Sequence, residues 1–118
     1  MTGTLPEELS ELVYLQSIAL DWNGFYGPLP VTWATNKHLL NIEIHYNFLT
    51  GTIPSEWFDA QALQRLNVGG NMLTGTVSTE IGKLDSLKGF FNMENMMSGP
   101  IPNEFAALKF VSKCVLFL

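Results

Sequence analysis

The chain has 118 residues, 47% of them hydrophobic, 12% aromatic and only 14% charged, which excludes a disordered segment rich in charge and poor in aromatics. Six Lys and Arg stand against eleven Asp and Glu, a net charge of −5, so no cationic excess exists to neutralise nucleic-acid phosphates or an anionic membrane. One cysteine, Cys114, excludes an internal disulfide and a cysteine-based zinc site, and no apolar run approaches the ~20 residues of a bilayer span. Met1 is followed by Thr-Gly-Thr-Leu-Pro-Glu-Glu, which is not the basic-then-apolar pattern of a secretory leader.

Along the chain, elements recur with a period. Gly3, Gly27, Gly51, Gly75 and Gly99 are 24 residues apart, and so are Asn23, Asn47, Asn71 and Asn95. Ile18-Ala19-Leu20-Asp21 alternates apolar and polar, the mark of a strand with one buried face, and Ile42-Glu43-Ile44-His45 and Leu66-Asn67-Val68-Gly69 repeat it. The Asn follows each strand, where its amide can satisfy backbone groups of the turn and of the adjacent coil. The Gly marks tight curvature or positive φ. After it, Thr52-Ile53-Pro54 predicts a short extended piece, and Ser55 to Ala60 a short helical or 3-10 turn capped by Ser55. Apolar columns such as Leu15, Leu39, Leu63, Leu87, Val111 and Ile18, Ile42, Leu66, Phe90, Cys114 form the core. A unit of this size buries its apolar face only by stacking, which predicts a solenoid over residues 1–118 of about five 24-residue repeats.

Leu39, Ile42, Ile44, Asn47, Leu49, Gly51, Ile53 and Pro54 stand at the positions of the pattern LxxLxxLxLxxNxLxGxIPxxLxx, so the chain resembles the plant-specific class of leucine-rich repeat proteins. The resemblance implies an α/β solenoid: a parallel sheet on the concave face, short helical or 3-10 segments on the convex side, and a second extended segment. For function it implies non-catalytic binding of a protein or peptide ligand, with a glycan as an alternative, in an extracellular or cell-surface receptor-like array whose parent is membrane-anchored. A secreted hydrolase inhibitor and a structural spacer are the other readings, and a cytoplasmic array is compatible with a lone cysteine. Members usually carry cysteine-paired caps at both ends, so this sequence is expected to be a piece of a longer array.

Three departures from the pattern carry expectations. Ser78 stands where the other repeats have proline, so that turn loses a φ constraint. Asn92 stands in a core column, either turned inward or displaced by a bulge that turns Phe91 inward. Asn36 and Ala60 thin the convex side of two turns.

The concave rows are then Ser17, Asn41, Arg65, Gly89, Lys113; Ala19, Glu43, Asn67, Phe91, Val115; Asp21, His45, Gly69, Met93, Phe117; and Trp22, Tyr46, Gly70, Glu94, Leu118. Aromatic side chains are enriched at binding hot spots. Trp22, Glu43, His45, Tyr46, Arg65 and Phe91 are therefore the expected ligand-facing patch, with Gly69-Gly70 as a shallow floor. The bland alternative has Trp22 and Tyr46 simply packing on each other. Asp21 and His45 form a cross-strand pair without a nucleophile, read as a surface ion pair worth under about 1 kcal/mol. His38 and His45 fall on different faces, so no metal site is expected. No catalytic residue, cofactor, nucleic-acid contact or membrane contact by this segment is expected. No Asn-x-Ser/Thr sequon occurs.

Overall fold

The computed structural model describes residues 1–108 and the backbone of 113–115. Nine short strands and five 3-10 helices alternate in the order β1 (Thr2–Thr4), η1 (Glu7–Glu11), β2 (Ser17–Ala19), β3 (Gly24–Gly27), η2 (Val31–Thr35), β4 (Asn41–Glu43), β5 (Phe48–Gly51), η3 (Ser55–Asp59), β6 (Arg65–Asn67), β7 (Met72–Leu73), η4 (Thr79–Lys83), β8 (Gly89–Phe91), η5 (Asn103–Ala107) and β9 (Lys113–Val115) among the described residues. They form two parallel sheets, β2-β4-β6-β8-β9 and β1-β3-β5-β7. The first pairs equivalent residues of successive coils, Ser17 with Asn41, Arg65 and Gly89, and Ala19 with Glu43, Asn67 and Phe91. The chain is an α/β leucine-rich repeat solenoid, with the 3-10 helices stacked on the side opposite the five-stranded sheet.

The core is the set of apolar columns, with Ile18, Ile42, Leu66 and Phe90 inside the first sheet, Phe25, Leu49, Leu73 and Met97 behind the second, and Trp33, Trp57 and Ile81 under the helices. The asparagine column ties these layers together. Asn71 is buried, and its Nδ2 donates to the Val68 and Gly69 carbonyls of its own coil (3.0 and 3.1 Å) and to the Ile44 carbonyl of the preceding coil (3.1 Å). Its Oδ1 accepts the Leu49 N–H at 3.0 Å. Asn47 and Asn95 repeat the pattern toward Phe25 and Leu73. At Asn23 the equivalent donor is the nitrogen of Met1, at 2.9 Å. The glycine column has positive φ throughout, from 80° at Gly51 to 112° at Gly3. There an L side chain would be strained.

Several local expectations are corrected. The second extended segment lies mainly before the glycine, at Gly24–Gly27 and Phe48–Gly51, rather than at Thr52-Ile53. Ser55 does not cap η3. Pro54 occupies the cap position and Ser55 is the first helical residue, because the proline's extended backbone (φ −60°, ψ 133°) already sets the entry angle. Where Pro is missing, Ser78 occupies the cap position instead, and its Oγ accepts the Glu80 N–H at 3.1 Å. Asn36 is buried and bridges coils, donating to the Leu12 carbonyl at 3.0 Å and accepting the His38 N–H at 2.8 Å. The predicted core places of Val111 and Leu116 and the concave places of Phe117 and Leu118 lie outside the described residues. So do the side chains of Lys113, Cys114 and Val115.

Asn92 is fully buried with β8 in register, so no bulge forms. Its Nδ2 meets only the Met97 Sδ at 3.7 Å, and its Oδ1 has no hydrogen-bond partner. A buried polar atom left unpaired costs about 1–3 kcal/mol. Asn92→Leu, which restores the apolar column, is expected to stabilise the fold by about 1–2 kcal/mol in urea unfolding, with an unchanged slope.

Candidate functional site

The sheet β2-β4-β6-β8 carries a connected row of polar and aromatic groups. Alternation along each strand sends Ile42 and Leu66 inward and leaves Asn41, Glu43, Arg65 and Asn67 on the outer face. Arg65 Nε binds the Glu43 carboxylate, and the guanidinium lies over the Phe91 ring, 4.6 Å from its centroid. The Glu43 Oε2 sits 3.5 Å from His45 Nδ1, and Asp21 Oδ2 sits 3.7 Å from His45 Nε2. His45 Nδ1 is buried and makes no hydrogen bond, so these are close approaches rather than aligned hydrogen bonds. Asp21, His45, Glu43, Arg65 and Phe91 thus form one chain of contacts across four coils. Phe91 is on the predicted face but only 8% exposed, with the guanidinium over its ring.

Trp22 and Tyr46 stand at the rim of this face, not in its strands. Both have left-handed backbone, φ 55°, as does Glu94 at φ 58°, in the turn that follows each strand. Their rings stack with centroids 4.1 Å apart and planes at 25°. The expected packing of one on the other is real, yet Trp22 remains 69% exposed. The Tyr46 hydroxyl reaches the Glu94 Oε1 at 3.4 Å, and its ring meets His45 edge-on at 5.7 Å. The pair opens on a recess of about 410 Å³ lined by Trp22, Asn23, Tyr46, Asn47, Phe48 and Gly70.

Gly70 is not a bare floor, because the Tyr46 ring fills the space above it. A Cβ there would fall 2.7 Å from Tyr46 Cε1, and φ is +61°. Gly70→Ala is therefore expected to push Tyr46 out of the stack while leaving the fold intact. The measurement is the emission of Trp22, the exposed member of a set in which Trp33 and Trp57 are each 1% exposed. A changed emission maximum or quantum yield is expected, and an identical spectrum would contradict this role of Gly70.

On the helical side, Trp57 Nε1 donates to the Pro30 carbonyl at 2.8 Å, and Trp33 Nε1 to the Pro6 carbonyl at 3.0 Å. The indoles stack at 5.7 Å with planes 11° apart. This column reads as plain apolar in the sequence, yet it forms a second hydrogen-bonded ladder. Among the described residues no group of three His, Cys, Asp or Glu is gathered to hold a metal ion, and no helix is long and apolar enough to cross a membrane.

Comparison with known proteins agrees with this geometry. The Leucine Rich Repeat family matches residues 62–84. No curated protein matches the chain. Among solved structures, the Arabidopsis receptor kinase HAESA, in complex with the peptide hormone IDA and the co-receptor SERK1, is 28% identical with a TM-score of 0.94, over 98% of this chain and 20% of that one. The plant peptide hormone receptor RGFR1, in complex with RGF2, is 30% identical with a TM-score of 0.91, over 95% of this chain and 18% of that one. A plant ice-binding protein is 25% identical with a TM-score of 0.82, over 94% of this chain and 36% of that one. The chain folds as a leucine-rich repeat solenoid, and one of its repeats matches the family itself. Its repeats are of the class found in plant receptor-kinase ectodomains, and it spans a fifth or less of the length of the two receptors.

Proposed function

We propose that the chain is a non-catalytic binding module. The outer face of β2-β4-β6-β8 and its Trp22–Tyr46 rim receive an extended peptide or protein segment, within an extracellular or cell-surface receptor-like array. The observation that carries this reading is the contact chain Asp21–His45–Glu43–Arg65–Phe91, lying beside an open aromatic recess on adjacent coils. Such a surface combines aromatic anchors with fixed polar groups on a rigid scaffold, which is what a hot spot needs. The two receptors above bind peptides on the same kind of scaffold. Ice binding is not carried over. The exposed threonines run uninterrupted over only two adjacent coils, Thr50 and Thr52 beside Thr74 and Thr76, with Tyr26 and Pro28 before them and Ser98 and Pro100 after. A crystal lattice would need a broader regular array.

The test is selection of linear peptides from a display library against the folded chain. Selected binders are expected to weaken about tenfold or more on Tyr46→Ala or Arg65→Ala, and to be indifferent to Glu56→Ala on the helical side. Binders unaffected by alanine at all of Trp22, Glu43, His45, Tyr46, Arg65 and Phe91 would overturn the assignment of this face.

A further inference from the structure

Within that binding reading, on which this inference rests, we propose that the Trp22–Tyr46 stack is the seat of an arginine side chain of the bound segment. The molecule already shows how this surface holds a guanidinium. The Arg65 guanidinium sits over one aromatic ring, Phe91, while a carboxylate, Glu43, takes its Nε–H. The rim repeats that combination on a larger scale. Trp22 offers an indole, the ring that attracts cations most strongly, and is 69% exposed. Tyr46 backs it at 4.1 Å, and the Glu94 carboxylate stands at the tyrosine hydroxyl, 3.4 Å away and exposed to solvent.

Three further features favour a cation over a neutral partner such as a sugar ring. The chain carries a net charge of −5. Glu94, at the Tyr46 hydroxyl and exposed, has no cationic partner among the ion pairs of the described residues, whereas Glu43 is already held by Arg65. The left-handed backbone at Trp22, Tyr46 and Glu94 is a strained conformation for such side chains, and the three groups meet one another, Trp22 on Tyr46 and the Tyr46 hydroxyl at Glu94. Arginine suits the site better than lysine, because a planar guanidinium can stack on the indole and still present its edge to a carboxylate.

Tryptophan emission reports the site directly, since Trp33 and Trp57 are buried at 1% exposure each. The probe is the capped peptide Ac-Gly-Arg-Arg-Gly-NH2, with its citrulline counterpart as a neutral isostere and cellohexaose as a neutral sugar. A saturable emission change is expected with the arginine peptide, weaker by about fivefold or more with citrulline, absent with the sugar and reduced by salt. Glu94→Gln is expected to weaken the arginine peptide about threefold, and Trp22→Leu, at an exposed position, to weaken it about fivefold or more when binding is read by calorimetry, without unfolding the chain. Equal affinity for the arginine and citrulline peptides, saturable binding of the sugar alone, or no saturable response would overturn the inference. If library-selected peptides bind this face without preferring arginine, the inference falls and the binding reading stands. If no peptide binds the face, both fall.

Discussion

Asn71→Ala is expected to lose about 3 kcal/mol or more of stability. The side chain is buried and serves four backbone groups on two coils: the Leu49 N–H and the carbonyls of Ile44, Val68 and Gly69. Alanine restores none of these bonds, and each buried group left unpaired costs about 1–3 kcal/mol. Because each coil is stable only against its neighbours, the loss should lower the midpoint of the whole transition rather than unfold one turn. Urea unfolding followed by circular dichroism reads the effect. Asn71→Asp sharpens the test. Its carboxylate would face three carbonyl oxygens, so its carboxyl is expected to titrate above the ordinary range in the folded state. A raised folded-state value means the folded form binds the extra proton. The variant is therefore expected to be most stable below about pH 4 and to lose stability as pH rises, where Asn71→Ala shows no such added dependence.

Trp57→Ala is the second large effect, expected at about 3–5 kcal/mol. The indole is 1% exposed, stacks on Trp33 and donates to the Pro30 carbonyl of the preceding coil at 2.8 Å. Removing it opens a cavity between coils and leaves that carbonyl unpaired. Trp57→Phe keeps most of the apolar volume and loses the donor, so about 1–2 kcal/mol is expected. The gap between the two variants in guanidinium unfolding separates packing from the hydrogen bond. Equal losses would mean that the indole N–H, not the ring, does the stabilising.

Much of the fold was legible because its determinants recur. The column Ile18, Ile42, Leu66, Phe90 can be recognised without any single residue being diagnostic, and the Asn and Gly columns mark the turn and the positive φ in every coil. What escaped was chemistry that a period does not encode. The Trp33 and Trp57 column reads as apolar, since nothing in its spacing announces that the N–H groups meet proline carbonyls 27 residues earlier. Ser55 looks like a helix cap until the preceding proline's backbone takes that place.

At the site, the contact row Asp21–His45–Glu43–Arg65 follows from strand alternation and register, and was predictable for that reason. The contact of Arg65 with Phe91 was not, because it depends on where one guanidinium comes to rest. Nor was the left-handed turn at Trp22 and Tyr46, since large aromatics rarely adopt it. The one hint was Gly70 in the same column, whose missing side chain makes room for the Tyr46 ring.

The most direct test of the binding face is hydrogen–deuterium exchange of the chain with and without a library-selected peptide. Protection is expected to concentrate at Ser17–Ala19, Asn41–Glu43 and Arg65–Asn67 and in the turns carrying Trp22 and Tyr46, with η2, η3 and η4 unchanged. Protection confined to those helices, with the sheet and its aromatic rim unaffected, would contradict it.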